Sequence, residues 1–192
     1  FRPALHGGAI ATLVDAAGGA AVWSGLALSD RVSTIDIRVD LRNALQPLGD
    51  WARIGEHLHG AEMLARTLRD QHRLGRIATF MVWQCLATGD YDEAVRFGQE
   101  ALSIGRTLGD RSIEVVATSN LGRTHGARGE FRDAATLLER NVALEGDLRY
   151  ERFGGPAIQS AVSGAYLAEV LSQLGRFDEA IAHAEAAVRI AE

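Results

Sequence analysis

The sequence predicts an all-α fold: a superhelix of about four stacked helical hairpins preceded by an Ala/Gly-rich helix. Three observations carry that expectation. A short grammar of Gly, polar residue, aromatic, two further residues and a small or aliphatic residue occurs four times, at Gly49-Asp50-Trp51 with Ile54, Gly89-Asp90-Tyr91 with Ala94, Gly129-Glu130-Phe131 with Ala134, and Gly175-Arg176-Phe177 with Ala180. Successive copies are 40, 40 and 46 residues apart, a period that marks helical solenoids. Each copy lies between two runs whose apolar residues recur with helical period.

Taken in order, residues 1–33 read as a separate N-terminal piece and residues 34–192 as the repeat domain. Pro3 to Gly8 is a turn, and Ala9 to Trp23 is an Ala-rich helix weakened in the middle by Gly18 and Gly19. Gly25 to Ser33 is a loop. Thr34 to Arg42 alternates apolar and charged residues as a strand would, yet Ile37, Leu41, Ala44, Leu45 and Leu48 also share one face of a helix running up to Gly49. Helix is favoured, because a lone strand leaves its backbone donors and acceptors without partners and no second strand is evident.

From Asp50 onward, helices are expected at about 51–69, 71–88, 91–108, 111–128, 131–148, 157–174 and 177–191. The recurring glycines should end helices in the left-handed conformation, and the following Asp, Glu or Arg should open the next helix. The aromatic two positions later should plug the gap between helices, and Ala94, Ala134 and Ala180 should be small because a partner helix crosses there. Gly109-Asp110 and Arg69-Asp70 mark turns between repeats. The longer spacing to Gly175 is explained by an insertion between Glu145 and Pro156, with Pro156 suited to the first turn of the next helix.

Composition limits the function classes. The net charge is −5, with no block of like charge, which argues against a nucleic-acid-binding face. All 20 basic residues are Arg, a bias expected of a GC-rich genome. Cys85 is the only cysteine, so neither an intrachain disulfide nor a cysteine zinc site can form, and a cytoplasmic location is the simplest expectation. Ala9 to Leu28 is long enough to span a bilayer but carries Asp15 and many small residues, so no membrane insertion is expected. A chain starting at Phe1 reads as a piece of a longer polypeptide.

The run Leu121-Gly122, His125, Gly129-Glu130-Phe131 and Ala134 resembles the tetratricopeptide repeat. The runs Asp40 to Asp50 and Asn141 to Gly154 resemble the repeat region of bacterial signalling proteins that couple a class III adenylate cyclase to a STAND-type ATPase; that likeness spans about 35–192. A different resemblance covers residues 1–40: Leu5-His6-Gly7-Gly8 through Asp15, followed by Ser33 to Asp40, is similar to the central helix and next strand of PaaI-type hotdog-fold acyl-CoA thioesterases. It implies Asp15 as the acid that activates water or attacks the thioester, and backbone N–H groups around Gly7 and Gly8 as the polariser of the carbonyl. The two likenesses meet at Ile35 to Arg38, which fits either a fusion or a helical cap that mimics the motif.

Candidate sites follow from the repeat register. The concave face formed by the first helix of each hairpin should present Asn43, Thr79, Trp83, Ser119, Arg123, Ala165 and Glu169 to a protein or peptide held in the groove. Trp83 could equally pack inside the array. His57 and His59 lie about 200° apart on a helix and cannot share a metal, and His125 takes a core position. No metal site and no cofactor is expected, and no phosphate loop can form without lysine. The reading favoured is a non-catalytic interaction scaffold or regulatory sensor module of a bacterial signalling protein, the alternative being thioester hydrolysis through Asp15. Self-association through residues 9–28 is also expected, since that apolar helix needs a covering surface.

Overall fold

The computed structural model describes Leu45, residues 48–155 and residues 157–191. Among these there are seven α-helices and no strand: α1 (Trp51–Leu68), α2 (Gln71–Thr88), α3 (Tyr91–Leu108), α4 (Arg111–Ala127), α5 (Phe131–Val142), α6 (Gln159–Gln173) and α7 (Phe177–Ala191), with a 3-10 turn at Gly146–Tyr150. The fold class expected from the repeats is the one found. The N-terminal helix, the 33/34 boundary, the choice between helix and strand at 34–41 and the surface at 9–28 all lie outside the described residues.

The chain divides into two compact units, Phe1–Asp70 and Gln71–Glu192. In the first, α1 buries Ile54, Leu58, Ala61 and Ala65, one stripe at helical spacing. In the second, α2 pairs with α3, α4 with α5 and α6 with α7, while α3 packs on α4 and α5 on α6. The first helices of the hairpins, α2, α4 and α6, also touch one another in sequence.

The turns are built as their glycines require. Gly89, Gly109, Gly129 and Gly175 have φ of +79°, +65°, +79° and +75°, and the next residue's N–H closes each turn on a carbonyl five positions back: Asp90 to Cys85, Asp110 to Gly105, Glu130 to His125 and Arg176 to Leu171, all at 2.9 Å. Arg69 adopts the same left-handed conformation, φ +55°, without a glycine's freedom.

Helix starts divide into two kinds. Asp50, Asp90 and Asp110 accept backbone N–H bonds from Arg53, Glu93 and Ile113 at 3.2, 3.3 and 3.1 Å. Glu130 makes no such cap. Its carboxylate is taken by His125 and by Arg128, whose Nε lies 3.0 Å away. Arg176 instead makes a two-point pair with Glu179, at 2.7 and 2.6 Å.

The expected small residues do mark close crossings. Ala94 and Ala134 are wholly buried and Ala180 nearly so. A Cβ on Gly98 would stand 2.6 Å from Leu121 Cδ2, and one on Gly122 would stand 2.7 Å from Leu138 Cγ. The expectation that the aromatic always plugs the hairpin needs correcting. Phe131 packs against the core formed by Ala134, Leu138, Leu167 and Leu171, whereas Tyr91 lies on the rim and Phe177 is 63% exposed.

Two boundaries differ from expectation. Helix α5 stops at Val142 rather than near 148, because Leu144 turns into the core and Gly146 takes φ +58°, after which the chain tightens into the 3-10 turn. The insertion is tied back by the Ser160 hydroxyl donating to Arg149 O at 2.5 Å and Gln159 N–H donating to Glu151 O at 3.2 Å. Helix α6 begins at Gln159, two residues later than expected.

Two substitutions separate backbone strain from packing. Gly98→Ala should destabilise the protein by about 1–3 kcal/mol despite alanine's better helix propensity, because Leu121 occupies the space its Cβ needs. Arg69→Gly should stabilise it by about 1 kcal/mol by relieving the left-handed residue. Urea denaturation of both variants checks the opposite signs.

Candidate functional site

Three hairpins contribute one side chain each to a ladder across the face of the first helices. Arg123 on α4 lies between Trp83 on α2 and Tyr166 on α6, its Cζ 5.0 Å from the Trp83 ring centroid and 4.4 Å from that of Tyr166. A planar guanidinium suits this place because it stacks on both rings and keeps its charge. Burial pulls the Arg123 pKa below its ordinary value, while Tyr166 and Glu169 oppose the shift. Its Nε is buried and has no hydrogen-bond partner.

Beside the ladder runs a groove of about 440 Å³, lined by Leu86, Tyr91, Arg123, Gly126, Ala127, Phe131, Tyr166, Glu169, Val170 and Gln173. The lining therefore combines a cation, a carboxylate and two phenols with apolar side chains. That mixture suits a side chain or short segment that is partly apolar and also offers hydrogen-bonding groups. No group of His, Cys, Asp or Glu among the described residues could hold a metal.

The residues expected from the repeat register fall in different places. Arg123 lies at the groove, Glu169 lines it from an exposed position, and Ala165 is exposed on the same helix. Trp83 is half-buried behind the guanidinium. Thr79 and Ser119, expected on the same surface, are instead buried, at 4% and 1% exposure. Thr79 O accepts a hydrogen bond from Asn120 Nδ2 at 3.0 Å, and Ser119 Oγ accepts one from Ser163 Oγ at 3.1 Å. Both serve contacts between successive first helices, so neither can meet a partner. Asn43, Asp15, Gly7 and Gly8 lie outside the described residues.

Tyr166 is the groove residue the register reading did not name. It precedes Glu169, the repeat equivalent of Arg123, by one helical turn, and a search of the turn on either side of each register position would have found it. Phe131 and Tyr91, which the repeat pattern reads as plugs between helices, both face the groove.

The histidines behave differently from expectation at one place. His125 is not a core residue: it is half-buried and pairs with Glu130 across the α4–α5 turn. That hydrogen bond holds the Glu130 carboxyl below its ordinary value, with Arg128 adding to the effect. Arg128 also reaches Asp92 on α3 at 3.0 Å, so the turn is fastened to the preceding hairpin. His59 Nδ1 lies 2.8 Å from Gly55 O on its own helix, a backbone contact rather than a metal position.

The repeats have relatives of known kind. The tetratricopeptide repeat model matches residues 84–144, and a second model of the same description matches residues 161–192. These segments are tetratricopeptide repeats. The crystal structure of BtubC (BKLC) from P. vanneervenii is similar, with a TM-score of 0.70 at 16% identity over 95% of this chain and 77% of that one. The crystal structure of a putative kinesin light chain with nearly identical TPR-like repeats from Podosopora anserina gives 0.61 at 20% identity, over 94% and 91% of the two chains. At these identities the likeness is one of fold. No curated protein matches the chain.

Cys85 gives the site region a pH signature. Its thiol is buried in α2, and burial, followed by Asp90 and Glu93, pushes its pKa from 9.0 up to about 11. Between those values the unfolded chain loses the proton and the native repeats retain it, so stability should fall as pH rises from 9 towards 11. Urea denaturation across about pH 8–10.5 should show a shallower decline in Cys85→Ala than in the parent. Parallel profiles would remove Cys85 as the cause.

Proposed function

We propose that the protein is a non-catalytic scaffold that holds a protein or peptide segment in the groove beside Arg123. The observation that carries this reading is the ladder itself: Trp83, Arg123 and Tyr166 come from three different hairpins, and Arg123 and Tyr166 both line the groove. A packing role alone would be met by an apolar side chain at lower desolvation cost. Tetratricopeptide repeats act as protein-interaction modules, and the groove's mixed walls fit that use better than a reaction. Arg123 anchors a polar or acidic group of the bound segment, Tyr91, Phe131 and Tyr166 take its apolar side chains, and Glu169 disfavours a uniformly acidic stretch.

The likeness of Asp40 to Asp50 and Asn141 to Gly154 to repeat regions of bacterial cyclase and STAND-ATPase proteins supports a regulatory module within such a polypeptide, acting in the cytoplasm. No helix among the described residues is long and apolar enough to cross a membrane.

An array of twelve-residue peptides pairing one aromatic with one or two carboxylates tests the site. Binding by part of the array is expected, with Arg123→Ala and Tyr166→Ala each weakening it about tenfold or more, which corresponds to about 1.4 kcal/mol. Binding unchanged in both variants, or no binding by any peptide, would overturn the assignment.

A further inference from the structure

Six residues before each turn glycine, one repeat position holds Trp83, Arg123 and Glu169 in successive hairpins, ahead of Gly89, Gly129 and Gly175. Positions that serve packing keep their chemistry from hairpin to hairpin, as Ala94, Ala134 and Ala180 do. This position changes from indole to guanidinium to carboxylate. Arg123 and Glu169 both line the groove, and because Trp83 stands behind Arg123, the groove shows Tyr91 and Leu86 at its α2–α3 end.

Charged side chains at the turns beside the groove neutralise one another. Arg96 pairs with Glu93, Arg128 with Glu130 and Asp92, and Arg176 with Glu179. Arg123 and Glu169 differ: among the described residues, neither side chain forms a hydrogen bond or ion pair, with the other or with a third group. Arg123 is held by stacking on Trp83 and Tyr166, so turning towards Glu169 would cost it both rings. Burial pulls its pKa down while the fields of Tyr166 and Glu169 oppose the shift, so the guanidinium feels the carboxylate without touching it.

Two opposite charges that share a groove and stay unpaired are complementary to a ligand that carries both. A segment bearing only acids would seat one carboxylate on Arg123 and bring the next up to Glu169, desolvating like charges together. A base at that place satisfies Glu169 instead. The first helices α4 and α6 touch, and packed helices lie about 8–10 Å apart. In an extended, polyproline-type segment, residues three apart share a face and stand about 9 Å apart. An acid and a base at that spacing reach Arg123 and Glu169 together.

We infer that the groove selects partner-protein segments in which an acidic residue, seated on Arg123, lies between an aromatic or large aliphatic residue and a basic residue seated on Glu169. The aromatic residue meets Tyr91 and Leu86. This rests on the groove being the binding site and adds the composition and order of what it holds.

The test titrates the full chain with twelve-residue peptides whose ends are acetylated and amidated, so that only side chains carry charge. The first peptide has Tyr, Glu and Arg at intervals of three in a Gly/Ser background. A second replaces the Arg by Glu, and a third exchanges Glu and Arg so that the base is central. The first should bind about fivefold or more tighter than either of the others. Glu169→Gln should remove its advantage over the second peptide, and Glu169→Arg should reverse it. Glu169 is exposed, so both variants should keep the parent's urea midpoint. Equal binding of the three peptides, or an advantage of the first that survives Glu169→Gln, would overturn the inference; if that binding still requires Arg123, the scaffold reading stands. No binding by any peptide, or binding that Arg123→Ala leaves unchanged, would overturn both.

Discussion

Buried hydrogen bonds between successive hairpins are the constraint on which the rest of the array depends. Asn120 Nδ2 donates to Thr79 O across α4 and α2, and Asn141 Nδ2 donates both to Val115 O on α4, at 2.8 Å, and to Ser163 Oγ on α6, at 3.2 Å. Ser163 Oγ in turn donates to Ser119 Oγ. Apolar packing between helices tolerates sliding and rotation, but a buried amide is satisfied only at one register and leaves a desolvated group if that register is lost. The Trp83–Arg123–Tyr166 ladder follows from this layer. Trp83 and Arg123 lie four residues beyond Thr79 and Ser119, and Tyr166 lies three beyond Ser163, so the polar layer sets the spacing of the aromatic and cationic side chains one turn away.

The close crossings at Gly98 and Gly122 serve the same end. Helices that approach until a leucine fills the space of a missing Cβ bring side-chain amides within reach of a neighbour's carbonyl. The surface ion pairs contribute differently. Arg128 spans the half-buried Glu130 and the solvated Asp92, and its worth lies in orienting the turn between α4 and α5 more than in stability.

Much of this was legible in the sequence because it is local. Recurring Gly turns state where helices stop and start, and the ends of α2 and α3 and the start of α7 follow from them. What was not legible depends on distant partners. Thr79 and Ser119 read as surface residues because a small hydroxyl looks alike whether it meets water or protein: Thr79 Oγ1 donates to Arg76 O on its own helix, and Ser119 Oγ accepts from Ser163 on another. Glu130 reads as a helix cap, yet His125 and Arg128 compete for its carboxylate and win. The early end of α5 was hidden because Val142, Leu144 and Leu148 continue an apolar pattern through a segment that Gly146 diverts. Of the register positions, Arg123 and Glu169 line the groove and Trp83 stacks behind Arg123, while Tyr166 escaped the register because its contact uses the adjacent turn.

If the polar layer fixes the array, Asn141 and Ser163 must act as a unit. The most direct measurement is a double-mutant cycle of Asn141→Ala and Ser163→Ala by urea denaturation, with Trp83 fluorescence as a second readout. The expected result is a loss of about 1–3 kcal/mol for Asn141→Ala, a coupling of at least about 0.5 kcal/mol between the two sites, and altered Trp83 emission in the folded Asn141→Ala protein. Small, additive losses with unchanged Trp83 emission would contradict it and leave apolar packing alone as the determinant of the stack.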